Sequence, residues 1–226
     1  MHNAKKYKDT KPPKSGPLIT FLAVAHNFFL LVFSFLTFIH TAPVMKELFQ
    51  TQDLENTLCD FGQNAWNNGL FYWGWLFYLS KYYEFIDTLI ILIKGRVPMF
   101  LQTYHHTGAI FAMWILVASE SNITWIFVCF NSFIHTIMYF YYLMTTLKIQ
   151  PPGKQIITYL QMTQFFVGNS IALYTLSIDG CMNDFQKYSC WFNLAYVTPL
   201  LYFFAQFAKK TYFKPKSQVK ESDKRK

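Results

Sequence analysis

Long apolar stretches alternate with short polar connections along this chain, and the apolar stretches run 18–40, 70–93, 97–118, 123–147, 155–178 and 191–208. Each is close to or above the about 20 residues a helix needs to cross a bilayer. Between them stand helix breakers: Lys94-Gly95-Arg96 with Pro98, Pro151-Pro152-Gly153, and Asp179-Gly180. The pattern predicts an all-α, polytopic integral membrane bundle of six transmembrane helices. A basic N-terminal segment (1–17), a membrane-embedded domain (18–208) and a basic tail (209–226) complete the organisation.

Composition supports lipid as the solvent. Only 14% of residues are charged and 20% are aromatic, both far from the usual values for a soluble domain. The net charge of +8 could suggest nucleic acid, but the bases sit in the tails and connections and form no stripe on a folded face. A membrane surface and anionic, phosphate-bearing ligands fit better. The first 17 residues are polar and lysine-rich, and the apolar run after them is long enough to span, so no cleavable signal peptide is expected.

The bases also orient the helices. With both termini cytosolic, that side takes the five lysines of the N-terminal segment, Lys94, Arg96, Lys148, Lys154 and every base from Lys209 onward. The opposite side keeps Lys46 and Lys187, and Lys81 lies inside a span. Cys59, Cys181 and Cys190 then fall in loops on the non-cytosolic side, where an oxidising lumen permits a disulfide. Cys59 with Cys181, stapling the first long loop to the last, is the favoured pair, with unpaired loop thiols as the alternative.

Polar residues inside membrane helices are functional candidates. The second stretch carries Lys81, Glu84, Asp87 and Thr88, with Lys81, Glu84 and Thr88 at i, i+3 and i+7. They share a face and can pair, either as a packing device or as part of a site. The third has no charged residue between Arg96 and Glu120 but holds Gln102, His105 and His106 on one face. In the fourth, Asn131, His135, Met138 and Tyr142 follow one stripe, with Tyr139 beside it. The fifth presents Thr158, Gln161 and Phe165, which suit helix–helix glue as well as ligand contact. At about 1.5 Å per residue, Asp87, His105, Gln161 and His135 lie about 10 to 20 Å from the basic boundaries of their helices. One polar layer results, beneath a rim of Lys94, Arg96, Lys148 and Lys154 that suits a substrate whose anionic head stays at the rim while its reactive end goes inside. Near the opposite ends, Met113, Trp114 and Phe127 are among the apolar candidates to line a tunnel.

Three chemistries compete. A membrane di-iron fatty acid desaturase or hydroxylase also uses adjacent histidines, but the chain has six in all, with His2 in the tail and His26 and His40 scattered along the first stretch. Two irons would be short of ligands. A non-enzymatic transporter could use the buried charges but has no particular need of paired histidines opposite Asn131 and His135.

Lys81-x-x-Glu84-x-x-Asp87-Thr88, Gln102-x-x-His105-His106, His135-x-x-Met138-Tyr139-x-Tyr141-Tyr142 and Thr158-x-x-Gln161-x-x-Gln164 stand in the order and rough spacing of four family signature boxes. The chain thereby resembles the fatty acid elongases, the ELO-type very-long-chain 3-oxoacyl-CoA synthases of the endoplasmic reticulum. Gln102 replaces the usual first histidine of its box, as in some elongases of polyunsaturated chains, so that position is not an obligatory ligand or base. The family has seven spans, and this chain reads as beginning just before the second. The resemblance implies condensation of a long-chain acyl-CoA, polyunsaturated chains included, with malonyl-CoA to 3-oxoacyl-CoA, CO2 and CoA, with no metal or other cofactor.

A neutral imidazole can attack a thioester, and an acyl-imidazole intermediate divides the reaction into two easier steps. His105, matching the middle histidine of the family's box, is the expected nucleophile, though His106 could exchange roles with it. His135 would position malonyl-CoA and stabilise the enolate, with His106 and Asn131 orienting imidazoles or donating to oxyanions. Lys81, Glu84, Asp87, Thr88, Gln102, Tyr139, Tyr142 and Gln161 form the expected supporting network. The implied partners are acyl-CoA, malonyl-CoA, membrane lipid, the ketoreductase, dehydratase and enoyl reductase of the elongation cycle, and a second copy of the chain; nucleic acid is not among them. The tail ends Ser222-Asp223-Lys224-Arg225-Lys226, which only approaches a dilysine retrieval signal, so the endoplasmic reticulum rests on the family.

Overall fold

The computed structural model describes residues 16–213. The basic N-terminal lysines, and the tail from residue 214 with its near-dilysine end, lie outside the described residues. Every regular element among the described residues is helical: α1 (Pro17–Thr51), α2 (Leu54–Cys59), α3 (Phe71–Tyr83), α4 (Phe85–Ile93), α5 (Phe100–Ala118), α6 (Ser132–Thr146), α7 (Lys154–Leu176) and α8 (Asp184–Tyr212). Two π-type turns, Trp66–Leu70 and Ile126–Asn131, lead into α3 and α6. By length and composition, Pro17–Thr51 and the continuous Ile126–Thr146 can each cross a membrane.

The helices depart from the predicted stretches where polar or backbone chemistry intervenes. α1 continues past 40 through Pro43 to Thr51, a length of about 52 Å against a hydrocarbon core of about 30 Å, so it projects beyond an apolar slab. Asp53 and Asp60 organise the segment that follows. Asp53 caps α2 through the Asn56 N–H at 2.7 Å. The Asp60 carboxylate accepts from the Ala65 and Trp66 N–H groups at 3.0 and 3.1 Å, tying down the start of the next turn. That turn bends at Gly69, whose φ of +113° costs an L side chain heavily. The second stretch is two helices: at Glu84 the turn tightens, with the Asp87 N–H donating to the Glu84 carbonyl at 3.1 Å.

Six rods, counting α3 with α4 and the second π turn with α6, close a ring. α1 packs on α6, α6 on α7, α7 on α8, α8 on α5, α5 on α3, and α3 back on α1. Lipid-compatible side chains such as Phe21, Phe111, Phe166 and Tyr202 cover the outside. One end of the bundle is knitted by polar bonds. Cys59 and Cys181 are joined at Sγ–Sγ 2.02 Å, the Asn122 amide donates to the Thr57 and Leu58 carbonyls at 3.0 Å each, and Ser119 donates to Ser189 at 2.9 Å. Cys190, expected in a loop, is a correction: α8 starts at Asp184 under an Asn183–Gln186 capping box, which places Cys190 inside the helix, buried, with its thiol 3.7 Å from the Ala172 carbonyl. Lys94, Arg96, Lys148 and Lys154 gather at the other end, at the close of α4, the close of α6 and the start of α7. Partial burial, followed by the nearby Arg96 charge, lowers the Lys94 pKa.

Candidate active site

Inside the ring, Lys81 Nζ donates to Glu84 Oε1 at 2.6 Å and to Asn131 Oδ1 at 3.4 Å, and lies 3.8 Å from the centre of the Phe77 ring. Lys81 and Glu84 are 3% and 2% exposed, which makes this a fully desolvated ion pair. His135 Nδ1 stands 3.8 Å from the same Glu84 oxygen. Asn131, the last residue of the second π turn, thus meets Lys81 of α3. Because Asn131 Oδ1 is engaged by Lys81, its NH2 group is left to donate to an oxyanion.

A small cavity of about 30 Å³, room for about one water molecule, opens beside this pair. Lys81, His105, Asn131, Gln164 and Tyr196 supply its polar wall, and Met113 and Phe127 are among its apolar residues. Of the adjacent histidines only His105 reaches it. His106 is buried and turns towards Phe85, ring centres 6.1 Å apart. The two imidazole centres remain 5.4 Å apart.

Several expectations change. Asp87 does not join Lys81 and Glu84; it accepts from Tyr139 Oη at 3.0 Å and lies 3.0 Å from His26 Nε2. The tightened turn at Glu84 sends Asp87 towards α1 and α6, so His26 belongs to the polar interior and is not a stray residue. Gln161 donates to Met138 Sδ at 3.4 Å, whereas Gln164, one turn on, lines the cavity with an unpartnered Oε1. Trp114 points outward at 53% exposure, leaving Met113 and Phe127 as the cavity residues of that trio. Thr88 Oγ1 has no hydrogen-bond partner, Gln102 is half-buried, and Tyr142 is 41% exposed and packs on Tyr139 with ring centres 6.0 Å apart.

Glu84, His105 and His135 each offer a ligand atom within 4.8 Å of the others, a set that could hold a divalent cation. The Lys81 ammonium, however, already satisfies Glu84 Oε1. A metal bound through the remaining Glu84 oxygen would sit beside that buried positive charge, which disfavours a second cation.

The sequence profile of the ELO, or GNS1/SUR4, family matches residues 2–220. The chain belongs to the ELO family. Among its relatives, "Fatty acid elongase A" of Dictyostelium discoideum is 32% identical over 206 residues, covering 88% of this chain and 74% of the relative. "Very long chain fatty acid elongase 3" of Homo sapiens is 30% identical over 210 residues, 91% of this chain and 75% of the relative. "Fatty acid elongase 2" of Trypanosoma brucei brucei is 28% identical over 219 residues, 92% and 81% respectively. ELO membership accords with the all-helical bundle and its lipid-facing exterior, and the protein is a membrane protein.

Sequence reasoning missed Tyr196. Its hydroxyl donates to the His105 carbonyl at 2.8 Å and lies 3.2 Å from His105 Nδ1. With 15 tyrosines in the chain, nothing in the sequence marks this one.

Proposed function

We propose that the protein is a fatty acid elongase, a condensing acyltransferase that joins a long-chain acyl-CoA to malonyl-CoA and releases 3-oxoacyl-CoA, CO2 and CoA. The observation that carries the reading is the convergence of His105, Asn131, His135 and the Lys81–Glu84 pair beside one cavity, in a chain of the ELO family. His105 is the nucleophile because, of the two adjacent histidines, it alone lines the cavity. Its acylation divides the reaction into two easier acyl transfers. His135 and the Asn131 amide face the second step, in which decarboxylation leaves an enolate that needs hydrogen-bond donors. His106 and the Asp87–Tyr139–His26 cluster hold the surrounding helices.

The bundle spans the endoplasmic reticulum membrane six times, with the basic end cytosolic and the disulfide end lumenal. Lys94, Arg96, Lys148 and Lys154 then meet the CoA phosphates, while the acyl chain enters between the helices. A cavity with room for about one water must widen to take that chain, as small lining residues such as Ala109 and Ala112 allow. Product passes to the ketoreductase, dehydratase and enoyl reductase of the cycle.

The test is condensation by purified protein in detergent, without iron or reductant, from a panel of acyl-CoAs and radiolabelled malonyl-CoA. Labelled 3-oxoacyl-CoA that His105→Ala and His135→Ala both abolish is the expected result. A folded protein that yields none with any acyl-CoA, or a tightly bound stoichiometric transition metal, would overturn the reading.

A further inference from the structure

The contact between α5 and α8 goes beyond packing. The two helices exchange tyrosine hydrogen bonds across it: the Tyr196 hydroxyl donates to the His105 carbonyl at 2.8 Å, and the Tyr104 hydroxyl donates to the Tyr196 carbonyl at 3.1 Å. Their rings stack with centres 5.6 Å apart. Gly108 makes room for this, since a Cβ there would collide with the Tyr196 ring at Cε2. The Tyr196 side chain is therefore held in place at both ends, with its oxygen 3.2 Å from His105 Nδ1.

A tyrosine hydroxyl has one hydrogen to give. A backbone carbonyl can only accept, so the shorter bond, at 2.8 Å, takes that hydrogen. What faces Nδ1 is then a lone pair of the tyrosine oxygen, and the bond at 3.2 Å needs a hydrogen on Nδ1. A neutral imidazole has a single N–H, which leaves Nε2 bare. Resting on the assignment of His105 as nucleophile, we infer that Tyr196 is its positioning residue: it selects the Nδ1–H tautomer, directs attack through Nε2, and keeps the Nδ1 proton in place through the whole cycle.

The chemistry closes without moving that proton. Nε2 forms a C–N bond to the acyl carbon, the C–S bond breaks, and CoA leaves as a thiolate that takes a proton from water. The ring is then a cationic acyl-imidazolium with Nδ1–H still bonded to Tyr196, a better leaving group than a neutral acyl-imidazole. Loss of CO2 from malonyl-CoA gives an enolate whose carbon bonds to the acyl carbon. The C–N bond breaks, its electron pair returns to Nε2, and His105 is again neutral and protonated at Nδ1.

The test is Tyr196→Phe, which keeps the ring against Gly108 and Tyr104 and deletes only the hydroxyl. Two readouts are needed, the rate of single-turnover acylation of His105 from radiolabelled acyl-CoA and the ring-nitrogen NMR of histidine-15N protein in detergent. We expect wild type to show His105 protonated at Nδ1. The variant is expected to redistribute towards Nε2–H and to lose acylation rate by about 10- to 100-fold, with KM for acyl-CoA within about twofold. Wild-type His105 protonated at Nε2, or a folded Tyr196→Phe that acylates at the wild-type rate, overturns the proposal while leaving the elongase reading intact. If the variant does not fold, the wild-type tautomer decides the matter by itself. Wild type that condenses without labelling His105 overturns the nucleophile assignment and the proposal with it.

Discussion

Lys81→Met isolates what the buried ion pair contributes. Glu84 is 2% exposed; its Oε1 accepts from Lys81 at 2.6 Å, and its Oε2 has no hydrogen-bond partner. Removing the ammonium leaves a carboxylate without that bond, and His135 Nδ1, at 3.8 Å, is too far to replace it. Breaking a buried pair by deleting one partner costs about 3–5 kcal/mol, because an uncompensated charge stays behind. For a chain of this size about 4 kcal/mol lowers the thermal transition by about 8–16 °C. Lys81→Met/Glu84→Gln removes both charges and keeps the volume, so its stability should return to within about 1–2 kcal/mol of wild type. Both variants should fail to condense acyl-CoA with malonyl-CoA, since Asn131 loses the partner that orients its amide. Thermal unfolding in detergent followed by intrinsic fluorescence, with the condensation assay alongside, compares the two variants with wild type. A single variant that unfolds with wild type, or a double variant no more stable than the single, would refute the reasoning.

Gly108→Ala drives a methyl into the Tyr196 ring, so it should cost about 1–3 kcal/mol by thermal unfolding and reduce condensation sharply. Cys59→Ser opens a link between positions 122 residues apart, and its loss should destabilise by up to about 5 kcal/mol, read as a lower thermal transition matched by reductant-treated wild type. Ala112→Phe fills the cavity wall and should shorten the longest acyl-CoA accepted in a chain-length panel, whereas outward-facing Trp114→Ala should leave that profile unchanged. Asp87→Asn weakens the contacts to Tyr139 and His26 and should cost about 1–3 kcal/mol in the same unfolding assay.

The sequence by itself determined the helical class, the approximate apolar rods and which polar residues share a face, because these follow from composition and a period of 3.6 residues. Lys81 with Glu84 is of this kind: three residues apart on one helix, they are neighbours before any tertiary contact forms. So is the placing of Lys94, Arg96, Lys148 and Lys154 at the end of the rods opposite the Cys59–Cys181 pair. Local breaks were less legible. Glu84 and Ile126–Asn131 read as ordinary helix, because a tightened or widened turn leaves little trace in the residue pattern. Tertiary structure alone decided the rest. It sent Asp87 to His26 and Tyr139, chose His105 over His106 and Gln164 over Gln161 for the cavity, and placed Tyr196 against the histidine 91 residues away. Those choices depend on how each helix is rotated and paired in the ring, and a hydrophobic pattern that is apolar nearly all round, as lipid demands, does not specify that rotation.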